Sequence, residues 1–352
     1  MLQIGTRRCH AVTAMLLLSC RRLLLWVAWA WSAATYAADC DARDRLAFQP
    51  VLPGVSVVHG LWPSVHAGRA AHAATTVVLG EGAEVTVVDP GPTRQAGLAL
   101  QRALKCRRQA RVVALVNTHA HAEQVLANSA FRVSVAATAG TASAMQLRCP
   151  DCLAAMTSDL GAKALKGTRI VWPDRTLTAG DLVQAGGRAW QVLEMRDAHT
   201  ESDLVLWSEK DRLALVGGLV DGGRLPVLAQ GRVLGWLQTL DALQALQPQW
   251  LVGQHLVSGP AQVQAALQTQ RDYLCSLVHY AWRGLDSGWS EAEAIKSLKL
   301  PERWVTSSGA EDEARRQQHQ FNQLRAWREM ELRWMDQNPR PASCASSPDV
   351  GR

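Results

Sequence analysis

Apolar residues occur in two rhythms along this chain. Short unbroken or alternating runs, bounded by Gly, Pro, Asn or Asp, predict strands, and spacings of three and four predict helices. Strands are predicted around a Pro53-Gly54 turn over 51–58, and over 75–79 and 84–88, the last two flanking the Gly80-Glu81-Gly82 hairpin turn. Leu98, Leu100 and Leu104 place an amphipathic helix over 93–106. The run 112–116 is a buried strand, followed by a short helix over 124–131, a strand over 133–136 and a helix over 141–148. A second β-rich half is expected to begin at 170–172. It continues with 180–183, a Gly186-Gly187 turn, and strands over 190–195, 203–207 and 213–216. A helix over 234–246 and a strand over 250–252 close it. After Pro260 the pattern becomes helical, over 261–283, 291–298 and 311–334, and residues 339–352 have the composition of a disordered tail. Two β-rich halves with helices outside predict an α/β fold, a four-layer αββα sandwich with additional C-terminal helices.

The amino terminus changes how charge is read. Residues 1–38 have arginines, then an apolar run over 23–34, then small residues to Ala38. That is the layout of a secretory signal peptide cleaved near Ala37 or Ala38, with Met15 as an alternative start. The apolar run is too short for a comfortable membrane span, so no stable span is expected after cleavage and the location is periplasmic. Of the formal charge of +6, Arg7, Arg8, Arg21 and Arg22 lie in this leader, which leaves about +2 on the rest. No Lys/Arg run is interleaved with aromatics, so nucleic acid is not an expected partner.

Eight cysteines include Cys9 and Cys20 in the leader, and an even six remain in a chain read as exported, which suggests disulfides. Cys149-Pro-Asp-Cys152 is the one close pair. A local structural disulfide, a redox dithiol and half of a zinc site are its three readings, the disulfide foremost. Spacing does not pair Cys40, Cys106, Cys275 and Cys344.

The chemistry-bearing residues gather at strand ends. His119 and His121 follow the strand over 112–116 with Asn117 and Thr118 between. His199 follows the strand over 190–195, and His255 follows the one over 250–252. Histidines on loops at strand ends are well placed to converge on one metal ion. His72, His279 and His319 fit no such pattern and are read as surface or packing residues.

Five stretches carry a family likeness: Val87-Val88-Asp89-Pro90-Gly91, Asn117-Thr118-His119-Ala120-His121, Asn128-Ser129-Ala130-Phe131, His199-Thr200-Glu201-Ser202-Asp203-Leu204 and Val252-Gly253-Gln254-His255. Over residues 48–267 the chain resembles the metallo-β-lactamase superfamily. The region 149–173 and the helix around Arg325-Ala326-Trp327-Arg328-Glu329-Met330-Glu331 are similar to its periplasmic, quinoprotein-associated zinc metallohydrolase branch. The resemblance implies the αββα sandwich over residues 39–267, a helical extension over 268–338, a small-molecule substrate and a link to a periplasmic quinoprotein system.

The resemblance also implies a ligand set, carried over residue by residue. His119, His121 and His199 supply one complete zinc face, and the family's final histidine is His255. The second metal position is degenerate. The family's Asp is Glu123, its next His is Gln124, and its bridging Asp falls on Gly218, with Asp221 three residues further on. Restoring Asp at 218 and His at 124 is expected to rebuild that position. Leu126 and Ala127 replace two glycines that usually follow the motif, which implies a repacked loop. Zn²⁺ is the implied cofactor, as one ion, and three imidazoles lower the pKa of its water to about 7. Glu123 is the candidate for moving the proton to the leaving group, and Asp89 for hydrogen-bonding behind a ligand histidine. The functional expectation is an exported mono-zinc hydrolase attacking an ester, thioester or lactam-type bond. The alternative is a catalytically degenerate accessory or binding protein of the periplasm.

Overall fold

The computed structural model describes residues 46–59, 75–222, 224–297, 299–301 and 309–344. The expectations for the leader, Cys40, His72 and most of the C-terminal tail lie outside these residues. Two sheets form the centre. The first has seven strands in chain order: β1 (Gln49–Leu52), β2 (Val55–His59), β3 (Thr75–Leu79), β4 (Glu84–Val88), β5 (Arg111–Val116), β6 (Ser134–Thr138) and β7 (Arg175–Leu177). β1 to β4 are antiparallel, and β4 to β7 run parallel. The second sheet contains β8 (Leu182–Ala185), β9 (Arg188–Arg196), β10 (Ser202–Ser208), β11 (Leu213–Asp221), β12 (Trp250–Gln254) and β13 (Leu256–Ser258), with β11 and β12 parallel.

The alternation of side chains along each strand separates the layers. On β3, Val77 and Leu79 enter the core between the sheets, and Val78 faces outward. On β10, Leu204 and Leu206 meet that same core, whereas Val205 and Trp207 point to the outer helices. α1 (Arg94–Arg108) covers the first sheet with Ala96, Leu100 and Leu104. Thr93 caps its start by accepting from the Ala96 N–H, and Gln109 ends it in the left-handed region. α4 (Val233–Ala245), α5 (Val263–Asp286) and α7 (Gly309–Met335) cover the second sheet. A short α6 (Glu291–Ser297) lies between the last two. The expected four-layer αββα sandwich is therefore present. α5 runs across residue 267, and its buried face shares one apolar cluster with β10 and β11. No helix among the described residues is long and apolar enough to cross a membrane.

Three local expectations need correction. Residues 170–172 form no strand, and β7 begins at Arg175 instead. Asp174 pins this segment beside β6 by accepting from the Val135 N–H and the Ser134 hydroxyl, so β7 belongs to the first sheet. The helix expected to stop at residue 148 is α3 (Ala139–Leu160), which runs on through Pro150. Its apolar face continues with Met156 and Leu160 against Ala122 and Leu126, which offsets the ~3 kcal/mol that an interior proline costs. Finally, Cys149 and Cys152 form no disulfide. They sit one turn apart on this continuous helix, with Cys149 buried against Ala120, Val125, Ala144 and Met145. Burial pushes its thiol up to about 12, so it packs as a small apolar group.

A disulfide joins Cys275 on α5 to Cys344, which lies in a 3₁₀ turn (Ala342–Cys344) after α7, and Cys106 is also disulfide-bonded. The first bond closes a loop with a sequence separation of 69. Loop-closure entropy assigns such a bond about 4 kcal/mol. Cys344→Ala is therefore expected to lower the melting temperature by several degrees. Calorimetry under non-reducing conditions checks this, and an unchanged transition would show the bond to be energetically idle. At this same corner His279 Nε2–H donates to the Cys344 carbonyl at 2.9 Å, and His319 Nδ1 lies 3.0 Å from the Tyr273 hydroxyl. Both are packing residues, as read from the sequence.

Candidate metal centre

The site is built where β4, β5 and β9 end. Asn117 leaves β5 with its N–H on the Ala136 carbonyl, and its side-chain amide forms a buried pair with that of Asn128, at 2.7 and 3.2 Å. Asn128 lies in a 3₁₀ turn (Leu126–Ala130) that follows the one-turn helix α2 (Ala122–Val125). Leu126 and Ala127, where the resemblance expects glycines, are fully buried. The close approach is made instead by Gly97 of α1, where a Cβ would lie 2.6 Å from the Ala130 Cβ. The Thr118 carbonyl accepts from the Leu204 N–H and ties the loop to the second sheet.

Asp89 ends β4 with φ 53°. Its carboxylate accepts from the Thr118 N–H at 2.8 Å and from the Thr118 hydroxyl at 2.6 Å. Burial pushes its pKa up to about 7 against the pull of those two bonds. The Thr118 oxygen also lies 2.8 Å from His119 Nδ1. With Asp89 ionised, the single Thr118 proton points at the carboxylate, so the Thr118 oxygen accepts from His119 Nδ1–H. Nε2 of His119 then carries a lone pair, and it is buried with no partner.

The other two histidines follow the same scheme. His199 Nδ1 lies 3.1 Å from Asp203 Oδ1, and Asp203 is held by the Thr200 N–H at 2.7 Å. His121 Nε2 lies 2.5 Å from Gln230 Oε1, which leaves Nδ1 with the lone pair. The three rings stand edge to face, with centroids 4.5 to 4.8 Å apart. Their donor nitrogens all lie within 4.8 Å of one another. Burial and the neighbouring histidines hold His119 well below the usual histidine range, and burial lowers His121 against the opposing pull of Glu123. Both are therefore neutral donors at pH 7.

These residues fit a metal ion. A buried ring nitrogen with no hydrogen bond costs about 1–3 kcal/mol, and a cation at the convergence point removes that cost. Glu123 Oε1 lies 3.6 Å from His121 Nδ1, so two acceptors face each other there, an arrangement that also calls for a cation.

The structure does not bring every expected residue into this group. Among the described residues only His119, His121 and His199 cluster with metal-ligand geometry. His255 instead puts Nδ1 3.3 Å from both oxygens of Asp221, and its N–H donates to the Thr75 hydroxyl. Asp221 is thus engaged with His255. Gln124 is buried with its Oε1 unpartnered. Gly218, where the resemblance puts a bridging Asp, has no room for a side chain without rearrangement. A Cβ there would sit 2.2 Å from His199 Cε1 and 2.4 Å from His199 Nδ1. The next glycine back, Gly217 with φ 51°, lies against Thr118 in the same way, at 2.4 Å from its Oγ1. Two adjacent glycines therefore let β11 pass against two members of the site.

Sequence reasoning missed Gln230, which is 109 residues from His121 and in no motif. It also left Thr118 and Asp203 without a role, although both stand inside the quoted stretches.

Residues 70–255, more than half of the chain, match the family described as the metallo-beta-lactamase superfamily. No curated protein matched the chain in sequence. Among solved structures, the fold is similar to a beta-lactamase domain protein from Burkholderia ambifaria, at 17% identity and TM-score 0.58, covering 86% of this chain and 91% of that one. It is also similar to the stereoselective inverting sec-alkylsulfatase Pisa1 from Pseudomonas sp., at 17% identity and TM-score 0.61. That match covers 87% of this chain, which spans about half (55%) of the sulfatase. With the sandwich and the three-histidine group at its strand ends, the chain belongs to the metallo-beta-lactamase superfamily.

Proposed function

We propose that this protein is an exported, metal-dependent hydrolase that holds one zinc ion on His119, His121 and His199 and cleaves an ester, thioester or lactam-type bond. The observation that carries the reading is the matched state of the three rings. Each imidazole rests one nitrogen on an oxygen, from Thr118, Gln230 or Asp203, and the three rings offer ligand nitrogens within 4.8 Å of one another. A zinc ion held there supplies Lewis acidity and acidifies water at neutral pH.

The chain's own residues do the rest. Asp89 fixes Thr118, and Thr118 fixes the His119 tautomer. Asp203 does the same for His199. Glu123, beside His121 and one-fifth exposed, is placed to receive a proton and pass it to a leaving group. The Cys275–Cys344 bond supports export, since such bonds persist in oxidising compartments.

A second reading, a binding protein without catalysis, is favoured by one observation. The His199 ring fills the place of the bridging carboxylate at Gly218, so a second metal has no ligand there. Metal analysis of untagged protein from the native compartment separates the two. About one zinc per chain, with hydrolysis of aryl esters, thioesters or a chromogenic lactam lost in chelator, is expected. No bound metal and an unchanged melting curve in chelator would sink the hydrolase.

A further inference from the structure

We infer that the C-terminal helix is part of the metal centre: Asn322, Arg325 and Glu329 are positioning residues that hold the loop 226–232, through which Gln230 sets His121 and the loop backbone sets His199. The inference rests on the metal-centre reading above. Its structural basis is a continuous path of hydrogen bonds and close contacts.

The three side chains have spacings of three and four on α7, which puts them on one helix face. Asn322 grips the loop at its start. Its Oδ1 accepts from the Leu228 N–H at 3.1 Å, and its Nδ2 donates to the Pro226 carbonyl at 2.6 Å. Arg325 donates from Nε to the Leu228 carbonyl at 3.2 Å and from its terminal nitrogen to the Gly231 carbonyl at 3.4 Å. Glu329 accepts from the Val233 and Leu234 N–H groups at 2.8 and 3.1 Å. Those are unpaired donors of the first turn of α4, where an anionic oxygen is favoured. On the same helix, Ala326, Trp327 and Met330 are buried in the cluster that covers the second sheet, which anchors it there.

The loop so held reaches two of the three histidines. Gln230 Oε1 lies on His121 Nε2, and this fixes which ring nitrogen carries the lone pair. The Arg232 N–H donates to the Ala198 carbonyl at 3.0 Å, directly before His199. A Cβ on Gly231 would lie 2.5 Å from that carbonyl and 3.0 Å from the His199 carbonyl. Trp236, on the first turn of α4 below Glu329's contacts, packs its ring 5.2 Å from His199. Loss of the α7 grip therefore frees His121 to change tautomer and lets the His199 turn drift.

The test uses the full-length protein with Gln230→Ala, Glu329→Ala, Asn322→Ala and Gln230→Glu, which keeps the acceptor oxygen. Two readouts are taken: imidazole ¹⁵N chemical shifts of the metal-free protein, and zinc affinity by competition with a chromophoric chelator. Gln230→Ala and Glu329→Ala are each expected to weaken zinc binding about tenfold to a hundredfold and to mix the His121 tautomers. Gln230→Glu should hold both near the parent values. The double variant Gln230→Ala/Glu329→Ala should lose less than the product of the single losses, because both act on one path. A purely structural helix would lower the melting temperature in Glu329→Ala and leave the tautomer and the affinity alone, and that result overturns the inference. If Glu329→Ala does not fold, Arg325→Ala, at a half-buried side chain, carries the same test. A parent protein that binds no zinc defeats the metal-centre reading, while the tautomer measurement still decides whether α7 controls His121.

Discussion

Gly218→Ala is expected to cost the protein most of its metal affinity, on the order of a hundredfold or more. The added methyl would lie 2.2 Å from Cε1, 2.4 Å from Nδ1 and 2.9 Å from Nε2 of the His199 ring. One of the two must move. β11 has little room to yield, because it is buried at Gly218 and held beside β12 by the pairings of Gly217 with Gly253 and Asp221 with Gln254. The ring must therefore leave its 3.1 Å bond to Asp203, and one ligand of three is withdrawn. Structural zinc sites with four ligands are worth about 10–16 kcal/mol, so one ligand stands for roughly 3 kcal/mol, and overpacking adds about 1–3 kcal/mol of lost stability. Zinc titration of the variant reads the first and thermal unfolding of the metal-free protein reads the second. Gly82→Ala, where a Cβ meets nothing within 4 Å, is the control. A variant that binds zinc as tightly as the parent would show that His199 does not depend on this packing. The same geometry predicts that Gly218→Asp with Gln124→His does not build a second metal position.

His199→Ala should abolish bound metal outright. It removes a ligand whose partners remain in place, so a two-nitrogen remnant is left with His119 and His121. The zinc content of the purified variant is expected to fall from about one per chain to a background level, and hydrolytic turnover to fall at least a thousandfold. The fold should persist. His199 is nearly fully buried, yet Asp203 keeps its bond from the Thr200 N–H and so is not stranded. A destabilisation of about 1–3 kcal/mol is the expected scale for a buried hydrogen-bonding partner lost. Elemental analysis and circular dichroism of the same preparation check both statements. Full zinc content in this variant would mean that the ion sits elsewhere, with His255 and Asp221 the next pair to examine.

Much of the architecture was legible along the chain because burial repeats with the period of each element. The apolar runs placed β3 and β10, and the helical spacing of Leu100 and Leu104 placed α1, but β3 and β10 are buried on both faces, so which of their residues face the other sheet was left to the packing. Misreadings arose where tertiary contacts outweigh local signals. The helix predicted over 141–148 ends just before Pro150, and the apolar contacts of Met156 and Leu160 carry α3 through it. Cys149 and Cys152 looked like a local bond, and a continuous helix with a buried apolar pocket took them as free thiols.

The order of the elements, their layers and the placement of His119, His121 and His199 after strands were determined by the sequence itself. Each depends on residues a few positions apart, and such spacings are written directly in the chain. Which ring nitrogen each histidine rests on a neighbouring oxygen was decided by the tertiary structure alone. So were the 109-residue reach from His121 to Gln230, the grip of Glu329 on α4, and the separation of His255 from the three-histidine group. Those features are distances between segments far apart in the chain, and they exist only once two sheets and their outer helices have packed to definite positions.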